Sequence, residues 1–403
     1  MSIASHAETP RNSLSSRATT LYAVVTAISF SVASSAPTPL YHFYQQSLRL
    51  SPLLVTVIFA SYVFGVLAAF LTVSSLSDYI GRRPLILAAL LLSGVALVQF
   101  ITANSAGALI LARIVQGIAV GIALTTLGAT ILDTDRRNGA ILNSVTTFIG
   151  LMLGSLLAGS LLAFAPWPGQ LVYIVLLAVT VVEMALLLLV PETADRRHGA
   201  LASLKPQVRV PAIARPVLVR LLPLNLAAWA LGGFYLSLMP TLVAVATHIG
   251  SPFVGAAVVS ILMLTAAGSV FALRRLTPTR VLSIAMVGLA IGILVTLAGT
   301  ALQSAPGMII GTAIAGIGFG AAYSGNLRTL LPLADASDRA SLLAAYFVES
   351  YLAFSLPAIA AGLLAPVLGL VATAELYGAV LLAFIALSAM ATRRPAPAAA
   401  AAM

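Results

Sequence analysis

Long apolar stretches constrain the fold of this chain more than any other feature of its sequence. Twelve of them, each close to the roughly 20 residues that an α-helix needs to cross a bilayer, are separated by charged or Pro- and Gly-rich breaks. Only 8% of the residues are charged, whereas a water-soluble domain carries about 25%. The runs are also too long and unbroken for the strands of a membrane barrel. The sequence therefore predicts an all-α membrane protein and excludes a soluble enzyme or a nucleic-acid-binding protein.

The twelve predicted spans, numbered in chain order, fall into two groups of six. They cover residues 18–38, 52–76, 84–103, 106–132, 139–165, 168–190, 217–246, 252–273, 281–302, 305–331, 340–364 and 367–391. The longest link lies between spans 6 and 7 and contains four prolines and mixed charge. We therefore predict five parts: a tail at 1–17, a six-helix bundle at 18–190, a central loop at 191–216, a second six-helix bundle at 217–391 and a tail at 392–403.

Similar short segments recur in the two groups of six. Ser51-Pro52 opens span 2 and Ser251-Pro252 opens span 8, 200 positions later, while Asp135-Arg136 follows span 4 and Asp338-Arg339 follows span 10, 203 positions later. Nearly equal offsets at matching places indicate an internal duplication, which is typical of membrane transporters.

The basic residues predict how the chain is oriented in the membrane. Nineteen of the 21 Lys and Arg residues fall in the tails and in the links that follow spans 2, 4, 6, 8 and 10. The other side has Arg49, and Arg113 lies inside span 4. Because short loops rich in Lys and Arg remain in the cytoplasm, both termini are predicted to be cytoplasmic.

Composition also limits the chemistry. The chain has no cysteine, which excludes thiolate metal sites, and its single lysine, Lys205, follows Ala-Ser-Leu rather than the glycine run of a phosphate-binding loop. We therefore expect no metal, no cofactor and no ATP hydrolysis, so that energy must come from a gradient.

The link between spans 2 and 3 contains a recognisable motif, Ser74-Ser-Leu-Ser-Asp78-Tyr79-Ile-Gly81-Arg82-Arg83. It resembles the loop signature of the major facilitator superfamily, although Ser74 stands where glycine is usual and Tyr79 replaces a basic residue. We expect Gly81 to permit a tight turn, Asp78 to face a helix N-terminus or an arginine, and the two arginines to contact anionic headgroups. A plain basic loop is the alternative.

Span 4 contains Arg113, Gln116, Gly117 and Gly121, which share one helix face. They resemble the second signature of the same superfamily. Arg113 lies about nine residues from the end of the span, or about 13 Å deep, where an unpaired charge is costly. It is therefore a candidate for the transport mechanism. The alternative is an arginine that binds backbone carbonyls and holds the bundle together.

Span 5 contains Gly150, Gly154 and Gly159. They resemble the signature of antiporters in this superfamily, but Ser155 replaces its proline and Ala158 one of its glycines. Packing between small residues explains the spacing almost as well, so the support for antiport is modest.

The resemblance implies two six-helix bundles around a cavity that opens to each side in turn, lined by spans 1, 4, 7 and 10, in a multi-pass protein of a bacterial inner membrane. Polar and aromatic residues on those spans are the candidates for substrate contact: Ser34, Asn225, Trp229, Tyr235, Tyr323 and Asn326.

Acidic residues within spans are the candidates for coupling. Glu349 lies about ten residues, or about 15 Å, into span 11, near the midplane, and is our first choice for binding protons. Its alternative role is as a protonated or hydrogen-bonded packing residue. For Glu183 we expect a structural role, and for Glu375 a side chain that reaches water.

Three functions remain open from the sequence. The first is proton-coupled export of drugs or metabolites, and the second is import or facilitated passage of a small metabolite whose anionic group binds Arg113. Both involve a small-molecule substrate and the lipid bilayer. The third, a membrane enzyme or receptor, would require a catalytic cluster or a sizeable soluble domain, and the sequence contains neither.

Overall fold

The computed structural model describes residues 14–73, 75–194, 198–204, 208–335 and 338–393. Within these ranges the regular structure is helical and contains no strand. The outer parts of both predicted tails lie outside the described residues, as do Ser74 and Lys205, which were named above, and Arg196 and Arg197 of the predicted central loop.

Each of the twelve predicted spans coincides with a helix. Their bounds are Ser16–Ser35 with Pro37–Ser47, Pro52–Val73, Arg82–Thr102, Ala106–Thr134, Gly139–Phe164, Leu171–Leu187, Arg215–Ser237 with Met239–Thr247, Pro252–Ala272, Pro278–Ala301, Ala305–Leu330, Arg339–Leu368 and Leu370–Arg393. Within the described residues, eleven of the spans are helices long and apolar enough to cross a membrane. Span 6 is a shorter apolar helix of 17 residues. The all-helical membrane fold is therefore confirmed.

Spans 1 and 7 are each broken into two helical segments. Span 1 breaks at Ala36, before Pro37, and span 7 breaks at Leu238, two residues before Pro240. A proline is tolerated in the first turn of a helix because the N–H it lacks would have no helical partner there. Span 1 is therefore longer than its predicted end at residue 38, because a second helical segment follows the break and reaches Ser47. The two breaks lie 202 positions apart, in agreement with the offsets of the internal repeat.

Glycines allow the helices of each half to approach closely. Spans 2 and 4 meet at Gly65 and Gly117, and a Cβ atom on either residue would press into the backbone of the other span. Spans 9 and 10 meet in the same way at Gly292 and Gly318. Between the halves, spans 5 and 8 pack together, as do spans 2 and 11. These two pairs hold the first six spans against the last six.

Large apolar side chains remain exposed around the bundle, among them Leu91, Val182, Leu294 and Leu363. Water would penalise this surface, whereas lipid tails accommodate it. We name the end of the bundle that contains the links after spans 2, 4, 6, 8 and 10 the arginine face, and the other end the opposite face.

Candidate functional site

Arg113 is buried where span 4 meets the break in span 1. Its side chain is 1% exposed. The guanidinium donates hydrogen bonds to the Ser34 backbone oxygen (Nη1, 2.9 Å), to Gln116 Oε1 (Nη1, 2.7 Å) and to the Tyr41 hydroxyl (Nε, 3.0 Å, and Nη2). It also lies 5.0 Å from the ring centre of Tyr62, within range of a cation–π contact. Most of its donors are therefore used within the protein.

The break in span 1 explains why this arginine and glutamine are bonded there. Pro37 has no N–H, so the carbonyl of Ala33, four residues earlier, loses its usual helical partner. Gln116 Nε2 donates a hydrogen bond to that carbonyl at 2.8 Å, and Arg113 donates one to the neighbouring carbonyl of Ser34. In this conformation Arg113 has the contacts expected of the structural alternative.

A second polar network joins spans 7, 10 and 11. Asn225 Nδ2 donates to Glu349 Oε1 and to the Ser350 hydroxyl, both at 2.9 Å. Asn326 Nδ2 donates to Asn225 Oδ1 at 3.0 Å. The structure thus brings together three residues that the sequence suggested separately. Ser350 was missed because a hydroxyl within a span has no distinctive pattern.

Aromatic rings surround Trp229, one helical turn after Asn225. We define this aromatic cluster as Phe148, Trp229, Phe319, Tyr323, Phe347, Tyr351 and Phe354. Trp229 lies 5.5 Å from Tyr351 between ring centres, and Phe148 lies 5.5 Å from Tyr323. Because Phe148 belongs to span 5 and the other members to spans 7, 10 and 11, the cluster crosses the boundary between the halves. Five of its members were missed, since an aromatic residue in a span is usually a packing residue.

The two remaining substrate candidates lie elsewhere. Ser34 accepts a hydrogen bond from the Tyr62 hydroxyl at 3.1 Å and so belongs to the Arg113 site. Tyr235 exchanges hydrogen bonds with Thr312 (3.0 Å) and Thr296 (3.3 Å), and its hydrogen bonds among the described residues do not reach the Glu349 network.

The glycines of span 5 lie at helix contacts. A Cβ atom on Gly150 or Gly154 would press into span 1, and one on Gly159 would meet the Ala256 side chain of span 8. Ser155 in turn donates to the backbone oxygen of Ala256 at 3.3 Å. This arrangement is the close packing that the small-residue alternative predicts.

The motif between spans 2 and 3 is a charged cluster within the first half. Gly81 has a φ of +102°, which suits glycine. Arg82 is 8% exposed and pairs with Asp78 at 2.6 Å and with Asp133 of span 4 at 3.2 Å. Carboxylates from the link after span 2 and from the last turn of span 4 therefore pair with this buried arginine, so its guanidinium is engaged within the protein rather than with the lipid headgroups that we expected.

Glu192, which the sequence analysis missed, covers the start of span 3. Its Oε1 accepts from the Arg82 N–H at 2.7 Å and its Oε2 from the Arg83 N–H at 3.2 Å, so a carboxylate lies at the positive end of the helix. The Arg83 side chain donates to the Leu188 carbonyl at 3.3 Å. These contacts tie the end of span 6 to span 3.

Hydrogen bonds join the two halves at the opposite face. Thr38 Oγ1 donates to the Leu236 backbone oxygen, and Thr241 Oγ1 donates to Gln45 Oε1, both at 3.0 Å. The first bond connects the outer segment of span 1 to the last turn of span 7 before its break, and the second connects the outer segments of both spans. These bonds hold the two halves together at that end in this conformation.

A family model described as Major Facilitator Superfamily matches residues 22–347. The chain belongs to this superfamily. It is therefore a secondary transporter of small molecules and a multi-pass integral membrane protein, and not an enzyme.

Solved structures of other superfamily transporters share its fold. A bacterial homologue of the human lysosomal transporter Spinster, in an inward-facing and unoccupied conformation, has a TM-score of 0.76 at 14% identity, over 95% of this chain and 99% of that one. The nucleoside transporter NupG has a TM-score of 0.70 at 12% identity, over 94% of this chain and 100% of that one. The human organic anion transporter MFSD10 has a TM-score of 0.66 at 17% identity, over 94% of this chain and 100% of that one. At these identities the likeness concerns the fold alone.

Proposed function

We propose that this superfamily member is a proton-coupled exporter of drugs or metabolites, and that Glu349 binds and releases the coupling proton. The observation that carries the proposal is the hydrogen bond from Asn225 to Glu349, within a network that joins spans 7, 10 and 11 beside the aromatic cluster. A change of charge at Glu349 would therefore act on three helices at once.

Two features favour a proton as the coupling ion. Glu349 has no arginine, lysine or histidine partner within the described ranges, where the ion pairs involve Arg82. An unpaired carboxylate within a membrane is costly, so binding a proton removes a large penalty. Asn225 supports either state, because its amide can donate to a carboxylate or accept from a carboxylic acid.

The aromatic cluster and the amides support the substrate class of this proposal. Rings supply large apolar contact area, and Asn225 and Asn326 supply a small number of directed hydrogen bonds. This combination suits a neutral, amphipathic or weakly charged small molecule. The span-5 glycines, although incomplete as an antiporter signature, favour export. The positive-inside rule predicts that both termini are cytoplasmic, and the family resemblance implies a bacterial inner membrane, across which export would proceed.

The alternative is an importer or facilitator of a small, anionic metabolite bound by Arg113. The fold likeness to an organic anion transporter is the observation that favours it. The contacts of Arg113 argue against it in this conformation, because an anion would have to displace Tyr41 or the Ser34 carbonyl.

Flux measurements in proteoliposomes test the proposal. Chemically varied solutes are screened with and without an imposed pH gradient, and Glu349→Gln is compared with Glu375→Gln, an exposed glutamate of the same half. We expect gradient-driven flux to be lost in Glu349→Gln and retained in Glu375→Gln. An unchanged pH dependence in Glu349→Gln would show that Glu349 is structural. Uptake that is independent of the gradient but lost in Arg113→Ala would favour the alternative.

A further inference from the structure

A second carboxyl group is buried in the first half of the bundle, on a different set of helices from Glu349. Glu183 of span 6 is 4% exposed, and its Oε1 has no hydrogen-bond partner in the part of the chain that the structure describes. It lies four residues before Leu187, where span 6 ends at the arginine face, or about 6 Å from the helix end. A buried carboxyl oxygen without a partner requires a physical explanation.

Glu183 lines a small cavity between spans 1, 3 and 6. Three hydroxyl side chains share the cavity with it, Ser29 of span 1, Ser93 of span 3 and Thr180 of span 6. The volume that the centre of a water-sized sphere can occupy is about 10 Å³, close to the minimum for a single water molecule. The rest of the wall is apolar. The cavity is thus a polar pocket for one water at most.

No positive charge reaches this pocket from the helices around it. The spans packed against span 6 are 1, 3 and 5. Their described basic residues do not line the cavity: Arg17, Arg82 and Arg83 lie at helix ends, and His42 lies in the outer segment of span 1. The titratable neighbour is Tyr22, whose hydroxyl donates to the backbone oxygen of Glu183 at 3.0 Å. Within the described residues, the carboxyl group has a hydroxyl partner in Ser29 but no positive charge to compensate its own.

A proton is the ligand that this pocket fits. An isolated carboxylate in such surroundings is disfavoured, and the group becomes neutral instead. Cations such as Mg²⁺ and Ca²⁺ take six or more oxygen ligands, whereas the pocket offers one carboxyl and three hydroxyls. The Thr180 hydroxyl already donates to the Leu176 carbonyl at 2.9 Å and can only accept a further bond.

The pocket and the Arg113 site contact the same part of span 1, near Ala33. Ala33 contributes to the wall of the pocket, and the carbonyl of the same residue accepts from Gln116 of span 4. Loss of the proton would place an unpaired charge against the inner segment of span 1, while span 4 binds the end of that segment.

We infer that Glu183 is a second proton-binding site, in which a protonated carboxyl in a one-water pocket between spans 1, 3 and 6 stabilises the packing of the inner segment of span 1. This inference goes beyond the proposed function and does not depend on Glu349 being the coupling residue.

Infrared difference spectroscopy of the full-length protein in lipid nanodiscs tests it. The carbonyl stretch of a protonated carboxylic acid is recorded at neutral pH for the wild type, Glu183→Gln, Glu349→Gln and Glu375→Gln. We expect Glu183→Gln to lose one such band, which shifts on exchange into D₂O and persists in the other two variants. A spectrum of Glu183→Gln that keeps every protonated-acid band would overturn the inference. So would a carboxylate band of Glu183 that responds to sodium but not to pH.

A second measurement covers the case in which Glu183→Gln folds poorly. Ser29→Ala keeps the carboxyl but removes a hydroxyl from the pocket, and we expect it to shift the Glu183 band without abolishing it; an unshifted band contradicts the pocket geometry. The experiments distinguish failure of the coupling role proposed for Glu349 from failure of the proton site inferred at Glu183. Proton-driven transport that survives Glu349→Gln refutes the role of Glu349, while the infrared band alone decides the state of Glu183.

Discussion

Gln116 of span 4 donates a hydrogen bond to the backbone oxygen of Ala33 in span 1, across 2.8 Å. Ala33 is the residue whose helical partner would be the N–H of residue 37, and residue 37 is a proline. The glutamine side chain therefore replaces a backbone donor that the sequence of span 1 removes.

This relationship predicts coupling between Gln116 and Pro37. Gln116→Ala leaves a buried carbonyl without a donor, so we expect the free energy of unfolding to fall by about 1–3 kcal/mol. In a Pro37→Ala background the N–H of residue 37 can donate to the Ala33 carbonyl, so Gln116→Ala should lower the free energy of unfolding by less. The measurement is a double-mutant cycle from denaturant unfolding of purified protein in detergent. Equal losses in both backgrounds would contradict the assignment.

The start of span 3 provides a second test. Glu192 accepts hydrogen bonds from the N–H groups of Arg82 and Arg83, so Glu192→Ala should lower the free energy of unfolding by about 0.5–2 kcal/mol, the usual range for loss of a helix cap. Glu192→Gln keeps an acceptor without the charge and should lose less. Both variants are compared by the same unfolding experiment. If Glu192→Ala unfolds like the wild type, Glu192 does not cap span 3.

Much of the fold could be predicted from the sequence, because the bilayer leaves few alternatives to helices of about 20 apolar residues. Neither the break at Leu238 nor the one at Ala36 was predicted, although Pro240 and Pro37 lie close to them. A proline can end a helix or stand in the first turn of the next one, and hydropathy does not distinguish these cases.

The site was predicted residue by residue but not as an arrangement. Glu349, Asn225 and Asn326 attracted attention because polar groups are rare inside apolar spans. That they meet depends on the rotation of three helices about their axes, which hydropathy leaves undefined. Asp133 and Glu192 were missed for the opposite reason, since a carboxylate near a loop is usually solvated. Only the fold brings both of them to the N-terminal end of span 3.

Span 5 allows a test of whether its glycines serve close packing. A Cβ atom on Gly154 would press into the Val32 backbone oxygen of span 1, whereas one on Gly268 of span 8 would meet nothing within 4 Å. We therefore expect Gly154→Ala to destabilise the protein or reduce its folded yield. Gly268→Ala should be neutral or stabilising by up to about 1 kcal/mol, the difference in helix propensity. Thermal unfolding of the two purified variants gives the comparison, and equal midpoints would show that span 1 tolerates the methyl group.

Asn225 should connect the proton site to the transport cycle. Asn225→Leu removes the donor to Glu349 and to Ser350 and the acceptor of Asn326, so we expect proton-driven flux to fall and its pH dependence to change. Tyr235→Phe is the matched control, because it deletes a buried hydroxyl on the same span that bonds Thr296 and Thr312 instead. Each loss of a buried hydrogen bond should cost about 1–3 kcal/mol of stability, but only Asn225→Leu should alter the pH profile of flux in proteoliposomes. An altered pH profile in both variants would show that the effect comes from destabilisation of span 7 as a whole rather than from the bond to Glu349.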